Sequence, residues 1–192
     1  MCHHHLYIPP GNFAAVARNL FRSSFPQKEN FSYLRKLGLR SILYQSLSEF
    51  MLMTHRTLVE GPYPAEHRAF LESAGIQFFQ CPIPANKEPF ALMPVHAVIA
   101  ALSILLDSSN HPILVHCNAG KHRTGCVIGV LRRLQRWALT PVLVEYRMYA
   151  APKVRAMDQL FIEMFDLENV RDIVEHVHIE DRWGVHDPNH AR

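Results

Sequence analysis

A single α/β domain, its central and mostly parallel sheet flanked by helices, is predicted by three features of the chain. Short β-rich runs alternate with helical stretches, the order that buries a parallel sheet between two helical layers. The 192 residues, 48% of them hydrophobic, suffice for one substantial core without calling for a second domain. An apolar strand at 112–115 runs directly into a glycine-bearing loop and a long helix, placing that loop at a strand's carboxyl end, where ligands bind in such folds.

Each element has its own signal. Residues 13–21 read as an opening strand with a turn, and 29–37 as a helix stopped by Gly38, since glycine takes the left-handed cap most readily. A β-rich run at 40–44 follows. Residues 64–74 read as a helix with Gly75 at its end, followed by a strand at 76–79. The stretch 94–107 has helical periodicity, with Pro94 in the first turn where its missing N–H is harmless. Then come the strand 112–115, the loop, a long helix from 123 to 137, helices at 140–150 and 156–166, and a further helical stretch at 168–177.

The whole chain carries a net charge of +3, too little to make it a nucleic-acid binder, so local clusters of cations matter more. Cys2, Cys81, Cys117 and Cys126 fall at irregular spacings with no secretory signal, which predicts a reducing compartment, the cytosol alone or with the nucleus. No apolar run approaches the roughly 20 residues of a membrane span; the longest, 95–106, carries His96 and Ser103 and reads as a buried helix. Adjacent His3, His4 and His5 cannot all face one ion without a fold around them, and no other cluster has convincing ligand spacing, so neither metal nor cofactor is expected.

The chemistry concentrates at 116–125, His-Cys-Asn-Ala-Gly-Lys-His-Arg-Thr-Gly, where Cys117 precedes Arg123 by six positions. A short loop between a strand and the first turn of a helix turns successive backbone N–H groups toward one point, which makes an anion-binding nest. Asn118, Ala119, Gly120, Lys121 and His122 are therefore the candidate cradle for a phosphoryl group. Within that ring of donors the Cys117 thiolate is favoured, below the free value of about 8.5, so it is a nucleophile at neutral pH. Arg123 offers parallel N–H groups to the equatorial oxygens. Thr124 is placed to donate to Cys117 or to the thiolate as it leaves, and His116 to orient the loop by hydrogen bonding. Gly120 and Gly125 permit backbone conformations that a Cβ would hinder. A lone cysteine ending a core strand is more often merely packed; here the strand, two glycines, the Arg-Thr pair and the apolar helix beyond it point instead to attack on phosphorus.

This segment resembles the H-C-x5-R-S/T signature of the cysteine-dependent tyrosine and dual-specificity phosphatases. The residues at 117–126, 131–140, Glu145-Tyr146 and 152–159 are similar to a narrower group, the plant and fungal atypical dual-specificity phosphatases. Asn12-Phe13, 20–23, 25–27 and 86–90 extend the likeness from about Asn12 to Asp166. The resemblance implies a dual-specificity-phosphatase-like fold in a catalytic domain at 10–178, with 1–9 and 179–192 as loose termini. It also implies a cysteinyl-phosphate intermediate and a polyanionic small-molecule substrate, the diphosphate group of an inositol pyrophosphate. In two places the chain departs from the group. Asn118-Ala119 stand where relatives often carry Lys-Arg, and 45–60 is longer than the usual loop, reading as a short surface helix, a disordered loop or a gene-model artefact. Two alternatives stay open: a phosphoprotein phosphatase acting on Tyr or Ser/Thr, and a catalytically idle phospholigand-binding module, against which intact Cys117 and Arg123 argue.

Tyrosine phosphatases normally supply an Asp as proton donor from a mobile loop, but no Asp lies between Ile76 and Pro94. Glu88, in Asn86-Lys87-Glu88-Pro89, is the only carboxylate there; it is either the general acid, a role worth about 10²–10⁴-fold, or a solvated charge. A phosphoanhydride releases a phosphate of low pKa and needs little proton assistance, so the missing Asp favours pyrophosphates. Lys121 and His122 in the loop, Asn86 and Lys87 on the facing loop, and Lys153 and Arg155 on a later turn resembling the family's substrate edge would together surround a polyanion. For Lys153 and Arg155 the reading as solvated surface charge is equally open. Cys126 and Trp137, the latter with Leu131 and Leu134, read as packed, and Cys81 as a candidate for a protective disulfide with Cys117 under oxidation.

Overall fold

A computed structural model describes residues 7–46, 63–84, 86 and 93–173. β1 (Ala14–Ala17) and β2 (Leu20–Ser23) form an antiparallel pair, so the expected opening strand divides in two around a turn with Asn19 at φ 62°. β3 (Ser41–Ser46), β4 (Gln77–Pro82) and β5 (Ile113–His116) complete a five-stranded sheet in the order β1-β2-β5-β3-β4, parallel except for the β1 edge. The strand that feeds the loop is thus the central one, held between β2 and β3.

Among the described residues six α-helices accompany the sheet: α1 (Phe31–Leu37), α2 (Ala65–Ser73), α3 (Val95–Leu106), α4 (His122–Leu134), α5 (Leu139–Ala150) and α6 (Ala156–Met164). Gly38 and Gly75, at φ 62° and 65°, take the left-handed conformation after α1 and α2 that the sequence anticipates. The helical stretch expected at 168–177 begins as a 3₁₀ turn, Leu167–Val170; beyond 173 it lies outside the described residues, as do 1–6 and 47–62. Among the described residues no helix is long and apolar enough to cross a membrane.

Side chains of β5 alternate between two cores, as a strand covered on both faces must. Ile113 and Val115 join Leu43, Leu102 and Val127 on the α3/α4 face, while Leu114 joins Ile42, Tyr44 and Phe70 on the α1/α2 face. Two glycines on α4 then admit the last two helices. A Cβ at Gly125 would stand 2.8 Å from the Tyr146 ring of α5, and one at Gly129 2.7 Å from Ile162 of α6. Leu131 is fully buried, but Trp137 is not core: it is 43% exposed, beyond the end of α4, and stacks under the Arg132 guanidinium at 4.2 Å. Arg132 is itself held by Glu145 through a bidentate pair at 2.7 and 3.0 Å.

Candidate active site

Residues 117–121 form a loop resting on the end of β2, and the partners of its carbonyls determine its shape. The Cys117 carbonyl lies 3.3 Å from His116 Nδ1; that of Asn118 accepts from the Phe25 amide at 2.8 Å, that of Ala119 from Asn12 Nδ2 at 3.1 Å, that of Gly120 from Arg22 Nη2 at 2.8 Å, and that of Lys121 from the Gly125 amide at 2.8 Å. In a trans peptide the carbonyl and the following N–H point in opposite directions. Carbonyls drawn outward therefore leave the N–H groups of Asn118, Ala119, Gly120, Lys121 and His122 facing the inside of the loop, and none of them donates to a described backbone carbonyl. Converging unpaired amides of this kind bind an anion. Gly120, at φ 66°, is the residue that lets the loop lie against β2.

Cys117 is 3% exposed and continues the β5 alternation that puts Ile113 and Val115 on the α3/α4 face. In the next strand the same row is occupied by Gln45, because Tyr44 pairs with His116. Gln45 braces the start of α4: its carbonyl accepts from Arg123 Nη1 at 2.7 Å and its Oε1 from Thr124 Oγ1 at 3.0 Å. Thr124 Oγ1 is thus engaged with Gln45, and donation to Cys117 or to the departing thiolate would require its hydroxyl to turn. The Cys81–Cys117 disulfide fails on register. Gln45 pairs with Cys81, so β3 stands between the two cysteines; two strand spacings, about 9.5 Å, exceed the roughly 7 Å over which Cα atoms can be bridged. Cys81, Cys117 and Cys126 are all free and buried. Burial, with the Asp158 carboxylate beside it, pushes the Cys126 thiol well above its ordinary range, so Cys126 stays protonated and packed. His116 is fully buried, stacked on Tyr44 at 5.0 Å, with Nε2 3.4 Å from the Tyr63 hydroxyl, a position behind the loop suited to orienting it.

The least anticipated part of the site is Asp158 on α6. Its buried carboxylate accepts from Asn86 Nδ2 at 2.9 Å, from His122 Nδ1 at 2.9 Å and from the Tyr146 hydroxyl at 2.6 Å. Burial works to raise its pKa, but hydrogen bonds from His122, Tyr146 and Asn86 outweigh it and hold the group below the usual carboxylate range. An ionised carboxylate only accepts, so His122 Nδ1 carries the proton. Because the folded pKa is depressed, the stability Asp158 contributes is fully present above the unfolded value of about 3.9 and is lost as pH falls through the folded value. Asp158→Asn, which sets an amide against three donors, is expected to cost about 3 kcal/mol in urea unfolding at pH 7 and progressively less as pH falls below about 3.9. A cost independent of pH would show that the carboxylate charge is not what these groups bind.

The structure brings most of the proposed substrate edge to one rim. Asn118 and Ala119 are exposed there. Lys121 Nζ donates to the Ala151 carbonyl at 2.5 Å, on the turn between α5 and α6 that also bears exposed Lys153, while Arg155 Nη1 donates to the Asn86 carbonyl at 3.3 Å. Asn86 itself is 1% exposed, too deep to be a substrate contact. It ties Met93 to α6, its Oδ1 accepting from the Met93 amide at 2.5 Å and its Nδ2 donating to Asp158. Lys87 and Glu88 lie outside the described residues, as do His3, His4 and His5. The described residues hold no group of three or more His, Cys, Asp or Glu side chains able to bind a metal ion. Sequence reasoning passed over Asn12, Arg22, Gln45, Tyr146 and Asp158 as site residues. All but Gln45 sit within the stretches that carry the family likeness, which was the available signal.

The profile of the tyrosine phosphatase family matches residues 7–181. The chain is 47% identical over 167 residues to inositol diphosphatase SIW14 of Saccharomyces cerevisiae, covering 86% of itself and 55% of that relative's length. It is 45% identical over 166 residues to inositol diphosphatase DSP4 of Arabidopsis thaliana, covering 86% of itself and 77% of that relative. Among solved structures, the core catalytic domain of the PP-IP phosphatase SIW14 from S. cerevisiae superposes with a TM-score of 0.77 at 44% identity, covering 89% of this chain and 95% of that one.

Proposed function

The chain belongs to the tyrosine phosphatase family, and on that premise we propose that it hydrolyses the diphosphate group of inositol pyrophosphates through a cysteinyl-phosphate intermediate. The observation that carries this reading is the ring of inward amides around Cys117, closed by a buried Arg123.

The terminal phosphoryl group sits in the nest with its oxygens on the loop amides and Arg123. Cys117 Sγ attacks phosphorus in line; the S–P bond forms as the anhydride P–O bond breaks, and the electron pair leaves on the inner phosphate. Charge moving onto the equatorial oxygens strengthens their bonds to the amides and the guanidinium, which is how the nest lowers the barrier. Water then attacks phosphorus as the S–P bond breaks with its electron pair left on sulfur, the water proton passes to solvent, and inorganic phosphate and the Cys117 thiolate are released. The first step asks little of a general acid, because its leaving group is already a weakly basic phosphate. Lys121, Lys153 and Arg155 line the side from which the remaining ring phosphates approach.

Purified protein assayed with an inositol pyrophosphate, a phosphotyrosine peptide, inorganic polyphosphate and a small aryl phosphate tests this. The inositol pyrophosphate is expected to give the highest kcat/KM, and Lys153→Ala to lower it by about 5-fold while leaving the aryl phosphate unchanged, an effect that shrinks at high salt. Preference for the phosphopeptide, with equal losses on all substrates in Lys153→Ala, would move the reading to a phosphoprotein phosphatase.

A further inference from the structure

We propose that Arg22 is a positioning residue of this site: a fixed cation beneath the loop that aims the Gly120–Lys121 peptide at the phosphoryl group and supports the ionised form of Cys117. The inference rests on the cysteine-phosphatase reading and not on which phosphate compound is cleaved.

Arg22 belongs to β2 and pairs with Val115, on the face of the sheet that Leu20, Val115 and Cys117 share. It is 1% exposed. Nη2 donates to the Gly120 carbonyl at 2.8 Å, the guanidinium lies 3.8 Å from the centre of the Tyr149 ring of α5, and buried Nε has no hydrogen-bond partner among the described residues. A guanidinium has five N–H donors. Burying it with so few acceptors is costly, and an apolar side chain of similar volume would fill the place at less expense. Glu145 and Tyr149 offset part of that cost, and the thiolate and bound phosphoryl group add further complement to the charge as the reaction proceeds.

Burial lowers the Arg22 pKa to about 10, with Glu145, Tyr149 and Cys117 drawing it back up and Arg132 opposing them, so the group remains protonated at neutral pH. Cys117 is faced in turn by Arg22 from β2 and Cys126 from α4, with neutral Gln45 level with it on β3 and Arg123 of α4 bonded to the Gln45 carbonyl, while His116 of β5 turns to the opposite face against Tyr44. The Gly120 carbonyl and the Lys121 N–H belong to one peptide. A cation donating to that carbonyl holds the N–H toward the anion and polarises it, strengthening the bond it makes there.

The test is the pH dependence of Cys117 alkylation by iodoacetamide, read site by site by mass spectrometry on the full chain, with and without inorganic phosphate as a protecting anion. Arg22→Met is expected to raise the alkylation midpoint by about one pH unit. It should also weaken phosphate protection about 10-fold. Arg22→Lys, which keeps the charge, should leave the midpoint near the wild-type value. A folded Arg22→Met with an unmoved midpoint would overturn the proposal, since a residue that merely packs the loop has no reason to shift it. Should Arg22→Met fail to fold, Arg22→Gln takes its place: a raised midpoint in Arg22→Gln but not in Arg22→Lys supports the charge role, and equal midpoints in both refute it. Neither readout requires the natural substrate, so loss of the pyrophosphate preference in the substrate panel would leave this result standing.

Discussion

Cys117→Ser is expected to abolish turnover on every phosphorylated substrate while leaving anion binding nearly intact. The two halves of this result have separate physical origins. Turnover needs a group that forms and then releases a bond to phosphorus, and a serine hydroxyl ionises far less readily than a thiol, while among the described neighbours Thr124 is bonded to Gln45 and His116 sits behind the loop with Nδ1 at the Cys117 carbonyl. Removal of a nucleophile typically costs on the order of 10⁶-fold, so any loss smaller than about 10⁴ would be surprising. Binding, by contrast, rests on backbone N–H groups and Arg123, none of which the substitution touches. Inorganic phosphate should therefore bind the serine variant within a few-fold of wild type by calorimetry. Arg123→Lys should give the complementary pattern, a fall of about 10²–10³ in kcat/KM with the cysteine still reactive toward iodoacetamide, because a point charge cannot replace a planar fork anchored at 2.7 Å to Gln45. Appreciable turnover by the serine variant would rule out the covalent intermediate.

How far the sequence could be read depended on whether a feature is local or assembled. The strand, loop and helix around Cys117 were legible because each has a local signature: an apolar run, glycines at turn positions and helical periodicity. Gly38 and Gly75 as helix stops were legible for the same reason, since a positive φ is a property of one residue. Asp158 was not, because its role exists only once Gly125 and Gly129 let α5 and α6 close on α4 and bring Tyr146, His122 and Asn86 to one carboxylate. The disulfide expectation failed similarly: spacing along the chain cannot reveal that β3 intervenes between β4 and β5. Trp137 was misread because apolar residues at a helix end look alike whether a sheet or an arginine covers them. Asn118-Ala119, where relatives often carry two cations, looked like a deficit in the sequence. In the folded loop those positions contribute inward amides and outward carbonyls, while their side chains stand exposed at the rim. The inner anion site therefore does not depend on them.

Gly120→Ala is expected to be nearly as damaging as loss of the nucleophile's immediate partners, although glycine does no chemistry. The residue has φ 66°, where an alanine costs about 1–2 kcal/mol from its own backbone alone. The added Cβ would also stand 2.4 Å from the Ser23 carbonyl oxygen, 2.5 Å from its carbon and 2.7 Å from the Ser24 nitrogen. All three are backbone atoms of the strand end on which the loop rests, and they cannot swing aside as a side chain would. The loop must lift instead. Lifting separates the Gly120 carbonyl from Arg22 and tilts the Lys121 N–H out of the nest, and a misplacement of about 1 Å in such a site costs on the order of 10²-fold in rate. The expected outcome is a loss of about 10²–10³ in kcat/KM together with about 2–4 kcal/mol of stability in urea unfolding. Gly38→Ala is the matched control. It has nearly the same φ, 62°, but nothing within 4 Å of the added carbon, so it should cost only the backbone term and leave activity unchanged. Equal behaviour of the two alanine variants would show that the contact between the loop and β2 does not set the geometry of the anion site.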